Sequence, residues 1–229
     1  LVPSRFMASQ VRGTRVLENW TEDITFCARA PRPEGPLRVG FLGRLTKEKG
    51  VQVLARAMVE VIARSEREVR LVLAGENRFG DAVDDREIRA ALEPLAGSVD
   101  HLGWVPREVF FDKVDLAVFP SVWEEPFGLV AAEAMARGVP FVISDAGALP
   151  EVAGDHFPWI ARHGNAEDLT DIIREALASL STSERTLENS RARWETCYSP
   201  RAGSRRVAEL LGSMGGRFDV TTAGGGRNA

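Results

Sequence analysis

Two acids and two cations in this chain have types and spacing that suit chemistry on a charged ligand. Glu125 and Glu133 stand in the run Pro120 to Pro140, PSVWEEPFGLVAAEAMARGVP. The apolar stretch Leu116 to Phe119 ends at Pro120-Ser121, which reads as a strand running into a loop. A small-residue helix is then expected to start near Phe127. It stops at Gly138, the residue type favoured for a left-handed cap, with Pro140 just beyond. Glu125 therefore lies just before a helix N-terminus and Glu133 about two turns inside it. Helical side chains tilt toward the N-terminus, so Glu133 leans toward Glu125 and the unpaired amides of Phe127, Gly128 and Leu129. Such a tip attracts anions through its free N–H groups and the helix dipole. Two carboxylates beside an anion site fit a ligand with both phosphates and hydroxyls, since carboxylates accept hydrogen bonds from hydroxyls. A nucleotide-sugar is such a ligand. The plainer alternative makes both glutamates solvated helix charges. Ala131, Ala132, Ala134, Met135 and Ala136 around Glu133 argue for a covered helix, where a carboxylate needs partners.

The spacing Glu125-x7-Glu133 inside EPFGLVAAEAMARGVP resembles the signature of retaining GT-B glycosyltransferases of the Glu-x7-Glu group (glycosyltransferase family 4-like), which use nucleoside-diphosphate sugars. The loop Gly43-Arg44-Leu45-Thr46-Lys47-Glu48-Lys49-Gly50 adds to the likeness. The resemblance implies a catalytic set of Glu125, Arg44 and Lys49. Arg44 and Lys49, with the amides of Leu129 and Val130, would clamp the donor diphosphate. Arg offers a fork to phosphate oxygens and Lys a mobile point charge, and together they would balance the leaving nucleotide. Glu125 and the amides of Phe127 and Gly128 would hold the sugar hydroxyls, and Glu133 the ribose hydroxyls. Gly103-Trp104-Val105 resembles the family's base-contacting loop, although Trp104 equally suits a packing role. Gly43 and Gly75 either let the backbone approach the ligand or simply make turns. Gly147 opens what the family writes as two glycines before Pro-Glu; here the second is Ala148. The leaving phosphate would serve as the base toward the acceptor, with no metal and no cofactor. Acceptor residues would lie in an N-terminal domain missing from this chain, which would then bind donor weakly and turn over little alone.

Around these residues the pattern is strand, loop, helix, repeated. Strands are expected at 37–42, 71–74, 99–102, 116–119, 139–144 and 157–160. Helices are expected after Gly50, with Val51, Leu54, Met58 and Val61 at helical spacing, and at 85–95, 107–113 and 168–180. The fold class is therefore α/β: a Rossmann-like parallel sheet with helices on both faces, followed by C-terminal helices. Residues 1–36 read as the end of an N-terminal GT-B domain and its linker, with Pro and Gly dense from Ala30 to Pro36. Residues 37–181 read as the donor-binding domain, and 182–211 as helices broken near Tyr198-Ser199-Pro200. Residues 212–229, rich in Gly and polar types, are expected to be disordered.

Bulk properties narrow the classes. A 44% apolar share supports a proper core, and a net charge of −4 argues against nucleic-acid binding. Cys27 and Cys197 are far apart with no CxxC, which fits ordinary thiols in a reducing compartment. No signal peptide and no membrane-spanning run is visible, so the expected location is cytoplasmic or peripheral at the inner membrane surface. The start Leu1-Val2-Pro3, without Met, reads as a cut-down chain. His101, His156 and His163 show no metal-ligand spacing. The absence of GxxxxGK[ST], of GxGxxG after the first strand and of GxSxG disfavours a P-loop NTPase, a dinucleotide dehydrogenase and an α/β-hydrolase. The expected partner is a UDP- or GDP-linked sugar. A non-catalytic nucleotide-binding module and a nucleotide-sugar 2-epimerase are the alternatives.

Overall fold

The computed structural model describes residues 1–27, 34–77 and 82–213. Six parallel strands form one sheet: β1 (Leu37–Leu42), β2 (Val69–Ala74), β3 (Val99–Gly103), β4 (Leu116–Phe119), β5 (Phe141–Ser144) and β6 (Ile160–Ala161). Their spatial order is β3-β2-β1-β4-β5-β6. The chain winds outward from β1 to β3, then returns to place β4 on the other side of β1. The carboxyl ends of β1 and β4 thus flank the point where chain order reverses, where open α/β sheets bind ligands.

Alternation within the strands sorts the core into two layers. Val39 and Phe41 of β1, Leu71 and Leu73 of β2, and Leu116 and Val118 of β4 face one side. There they meet α2 (Val51–Ala63), α3 (Ala82–Leu92) and α7 (Ala166–Ala178). Ala117 and Phe119 of β4 face the other side with Phe141 and Ile143 of β5. They pack on α4 (Arg107–Phe111), α5 (Leu129–Arg137), α6 (Leu149–Ala153) and α8 (Glu184–Cys197). Every residue of β4 and β5 is buried, as expected for strands covered on both faces.

Several boundaries differ from the sequence pattern, each for a local reason. The motif helix α5 begins at Leu129, not Phe127, because the Phe127 ring is buried edge-on to Tyr198 and Gly128 takes the left-handed N-cap. Glu133 is consequently little more than one turn inside the helix. The expected 85–95 helix ends at Leu92 and tightens into a 3₁₀ turn over Glu93–Ser98, where Pro94 cannot continue an α-helix. Strand β5 starts at Phe141 because Pro140, which has no N–H, only accepts from the Ala117 amide. Phe157 stacks on Phe141 with ring centroids 4.4 Å apart rather than extending β6. Helix α6 occupies a stretch after Gly147 to which the sequence pattern assigns no element.

Residues 1–27 pack on the α5–α6–α8 side. Helix α1 (Arg5–Gln10) is N-capped by the fully buried Ser4. The Glu151 carboxylate accepts from the Arg5 and Phe6 amides at 2.9 and 3.0 Å. Thr21 donates its amide to Tyr198 and accepts from the Trp194 indole at 2.7 Å. Trp20 lies on Gly203 of α9 (Pro200–Ser213), where any side chain would collide with the indole. Part of the expected linker, residues 28–33, lies outside the described residues. Of the tail expected to be disordered, Gly212 and Ser213 belong to α9 and residues 214–229 lie outside the described residues. Among the described residues no helix is long and apolar enough to cross a membrane.

Candidate active site

Three strand ends build a nest for Glu125. The loop after β1 brings Lys49, whose ammonium pairs with Glu125 Oε1. The loop after β4 brings Ser121, whose hydroxyl donates to the same oxygen at 2.6 Å. The loop after β5 brings Gly147 and Ala148, and the Ala148 amide donates to the Glu125 carbonyl at 2.8 Å. Gly147 has φ 61°, and a Cβ there would lie 2.4 Å from the Glu125 nitrogen. Its glycine is therefore required by the backbone of Glu125, a protein contact rather than a ligand contact. Ser144 of β5 donates to the Ser121 carbonyl at 2.6 Å. The Glu48 carbonyl accepts from Val122 and Trp123, locking the loop after β1 to the loop after β4. Glu125 is only 8% exposed. Both donors use Oε1, and among the described residues Oε2 has no hydrogen-bond partner.

The helix tip beside this nest is unpaired. Among the described residues the amides of Phe127, Gly128, Leu129 and Val130 make no hydrogen bond to the protein. The Pro126 carbonyl just before them accepts from the Ser4 hydroxyl at 2.7 Å, which pins the approach to the tip. The Phe127 side chain is an anchor in the core, so only its backbone is available.

Leu42, Gly43, Arg44, Gly75, Glu76, Trp104 and Val105 line a cleft of about 320 Å³ at the ends of β1, β2 and β3. Here Gly75 must be glycine: its φ is 127°, and a Cβ would sit 1.9 Å from the Gly43 carbonyl oxygen. The two turns thus touch, which answers for Gly75 as packing. Arg44 is exposed and, among the described residues, makes no ion pair. Lys47 beside it is spoken for, pairing with Glu87 at 2.9 Å and Asp84 at 3.6 Å. Those carboxylates raise its pKa, the Glu87 hydrogen bond being the largest cause. Trp104 is 70% exposed and stands at the cleft mouth rather than in the core.

Glu133 has a different partner. Arg107 Nη1 donates to its Oε1 at 2.9 Å. Burial pushes the Glu133 carboxyl up from its ordinary value, and Arg107 opposes that shift. Arg107 also reaches Glu22 at 2.5 Å and Glu108 at 3.2 Å. The structure thus joins Glu125 to Lys49 and sets Gly43, Arg44, Gly75, Trp104 and Val105 around one cleft. Glu133 connects to that cleft's wall through Arg107, two residues beyond Val105.

Arg107, Ser121 and the packing role of Gly147 are missing from the sequence reading. Arg107 had a signal, following Gly103-Trp104-Val105-Pro106 directly. Ser121 stands four residues before Glu125 in a loop, a pattern with no chemical signature until the loop folds. Among the described residues no group of three or more His, Cys, Asp or Glu side chains gathers as a metal site would require.

An open parallel sheet with unpaired helix-tip amides and two cations at its chain-reversal point defines a Rossmann-like α/β protein with an anion-ready site. The chain belongs to the glycosyl transferases group 1 family, whose profile matches residues 25–193. It is 35% identical over 137 residues to an uncharacterized glycosyltransferase of Methanocaldococcus jannaschii, covering 58% of this chain and 34% of that one. The chain thus spans about a third of that relative's length. Its fold matches sucrose-phosphate synthase from Thermosynechococcus elongatus with a TM-score of 0.79 at 23% identity, over 93% of this chain and 57% of the other. It also matches HepE of Anabaena, solved in complex with UDP and glucose, with a TM-score of 0.69 at 25% identity, over 78% and 48% of the two chains. The six-stranded parallel sheet is the Rossmann-like architecture of these GT-B neighbours.

Proposed function

We propose that this chain is the donor-binding half of a retaining GT-B glycosyltransferase of the Glu-x7-Glu group, acting on a UDP- or GDP-linked sugar. The observation that carries the reading is the Glu125 nest beside four unpaired amides. A carboxylate with one oxygen fixed by Lys49 and Ser121 presents its other oxygen to a sugar hydroxyl. The amides of Phe127 and Gly128 complete that grip. The amides of Leu129 and Val130, with Arg44 and the Lys49 ammonium, hold the diphosphate. Glu133 accepts from the ribose hydroxyls, and the cleft at Trp104-Val105 takes the base. HepE, whose fold this chain shares, was solved with UDP and glucose, which supports a nucleotide-sugar donor.

In this reading the bond between the anomeric carbon and the phosphate oxygen breaks, and its electron pair leaves with the nucleotide diphosphate. Arg44, Lys49 and the helix tip stabilise that charge as it develops, which is where preorganised donors have most effect. The acceptor oxygen bonds on the same face and passes its proton to the leaving phosphate, so configuration is kept without a metal. Residues 1–36 are the end of the acceptor-side domain and its linker, and residues 37–181 the donor domain. The site of action is the cytoplasm or the inner membrane surface.

Calorimetry of this chain with UDP, GDP and ADP tests the reading. One nucleotide is expected to bind in preference to the others. Failure of all three to bind would remove the site assignment.

A further inference from the structure

Glu133 and Glu125 are both covered carboxylates, yet only Glu125 has several donors. Glu133 is 14% exposed at its side chain and has one donor, the Arg107 guanidinium on Oε1. Among the described residues its Oε2 accepts no hydrogen bond. Arg107 uses all three of its nitrogens on carboxylates: Nη1 on Glu133, Nη2 on Glu22 and Nε on Glu108. Glu22 is 85% exposed and Glu108 half exposed, so those two pairs are solvent-screened and weak. The Glu133 pair is the covered one. Arg107 opens α4 two residues after Val105, which lines the cleft.

We propose that Arg107 is a positioning residue for donor binding: it pins one oxygen of Glu133 so that the other is presented to the nucleotide's ribose hydroxyls. The proposal rests on the donor-site reading above and adds to it a residue that the motif does not contain. A rigid planar fork suits this task, because it fixes the carboxylate plane as well as its charge. Among the described residues three charged groups face Glu133: Arg107, Glu108 and Glu22. Burial and both carboxylates favour its protonated form, and Arg107 alone opposes them. Without Arg107 the covered carboxylate would take up a proton more readily and lose acceptor strength. The exposed tie from Arg107 to Glu22 also joins this pair to the segment that leads into residue 27.

The test compares dissociation constants of wild type, Arg107→Gln, Glu133→Gln and the double variant on the full chain. The probe is the tightest binder among UDP, GDP and ADP, with its 2′,3′-dideoxy analogue as control. Variant-to-wild-type ratios at each pH cancel the nucleotide's own ionisation. The Arg107→Gln ratio should rise as pH falls, by roughly tenfold per pH unit below the displaced Glu133 titration. It should stay flat for the dideoxy analogue. The double variant, which leaves no unpaired buried carboxylate, should bind as Glu133→Gln alone. A pH-independent loss, an equal loss with the dideoxy probe, or a double variant weaker than Glu133→Gln would overturn the positioning role. If Glu133→Gln binds as tightly as wild type, the donor-site reading itself fails. If Glu133→Gln weakens binding while Arg107→Gln changes nothing, the reading stands and only the role of Arg107 falls.

Discussion

The two glutamates of the motif sit eight positions apart in one segment, yet their surroundings were built by different means. Glu125 is held by three loops at once, through Lys49, Ser121 and the backbone fit at Gly147. Glu133 rides on a regular helix and depends on one guanidinium from another strand end. A neutral and a charged donor on one oxygen, with a backbone fit behind them, fix the position of the first carboxylate. A single partner leaves the second balanced between burial, which disfavours charge, and Arg107, which favours it. Loops assembled at a sheet's carboxyl edge can therefore immobilise a group, whereas a helix can only present one and wait for its partner.

The sharpest way to break this contrast is at Lys49. On the proposed reading as the donor half of a transferase, Lys49→Ala in an enzyme that carries both halves should slow transfer by about 10²- to 10³-fold, as removal of one charge-stabilising donor does elsewhere. Steady-state kinetics would show it mainly in kcat, and a change confined to KM would make Lys49 a ground-state binder. Gly147→Ala probes the nest without touching its chemistry. The Cβ would strike the Glu124–Glu125 peptide, so stability should fall by about 1–3 kcal/mol, seen as a lower denaturant midpoint. Nucleotide affinity should fall with it, and an unperturbed protein would mean the nest is more pliant than its packing implies. The smallest effect concerns Glu133 and pH. Its folded pKa is raised, so its contribution favours folding below the unfolded value and is lost as pH rises through the folded one. Glu133→Gln removes that dependence. Relative to the parent, its melting temperature should climb as pH rises from about 4 to about 7. A constant difference would show that Arg107 fully cancels the burial of Glu133.

Much of this arrangement is legible in the chain itself. Strands β1 and β4 and the end of α5 at Gly138 fall where apolar runs and cap residues put them. Element boundaries depart from the local pattern where tertiary contacts override it. Burial of Phe127 against Tyr198 delays the start of α5, and Phe157 leaves its strand to stack on Phe141. Arg107 and Ser121 went unread because an arginine at a helix start and a serine in a loop are common surface residues. Only the folded positions of Glu133 and Glu125 make them partners.

Local order in the sequence settled the alternation of strand and helix, hence the parallel sheet and the edge where a ligand can bind. It also settled the residue types available there, because periodicity and capping act over a few neighbouring positions. Which cation meets which carboxylate was decided only by the tertiary structure. Lys49 and Glu125 are 76 positions apart, and Arg107 and Glu133 are 26 apart. Pairings over such separations depend on strand order and loop packing, which no short stretch of chain encodes alone.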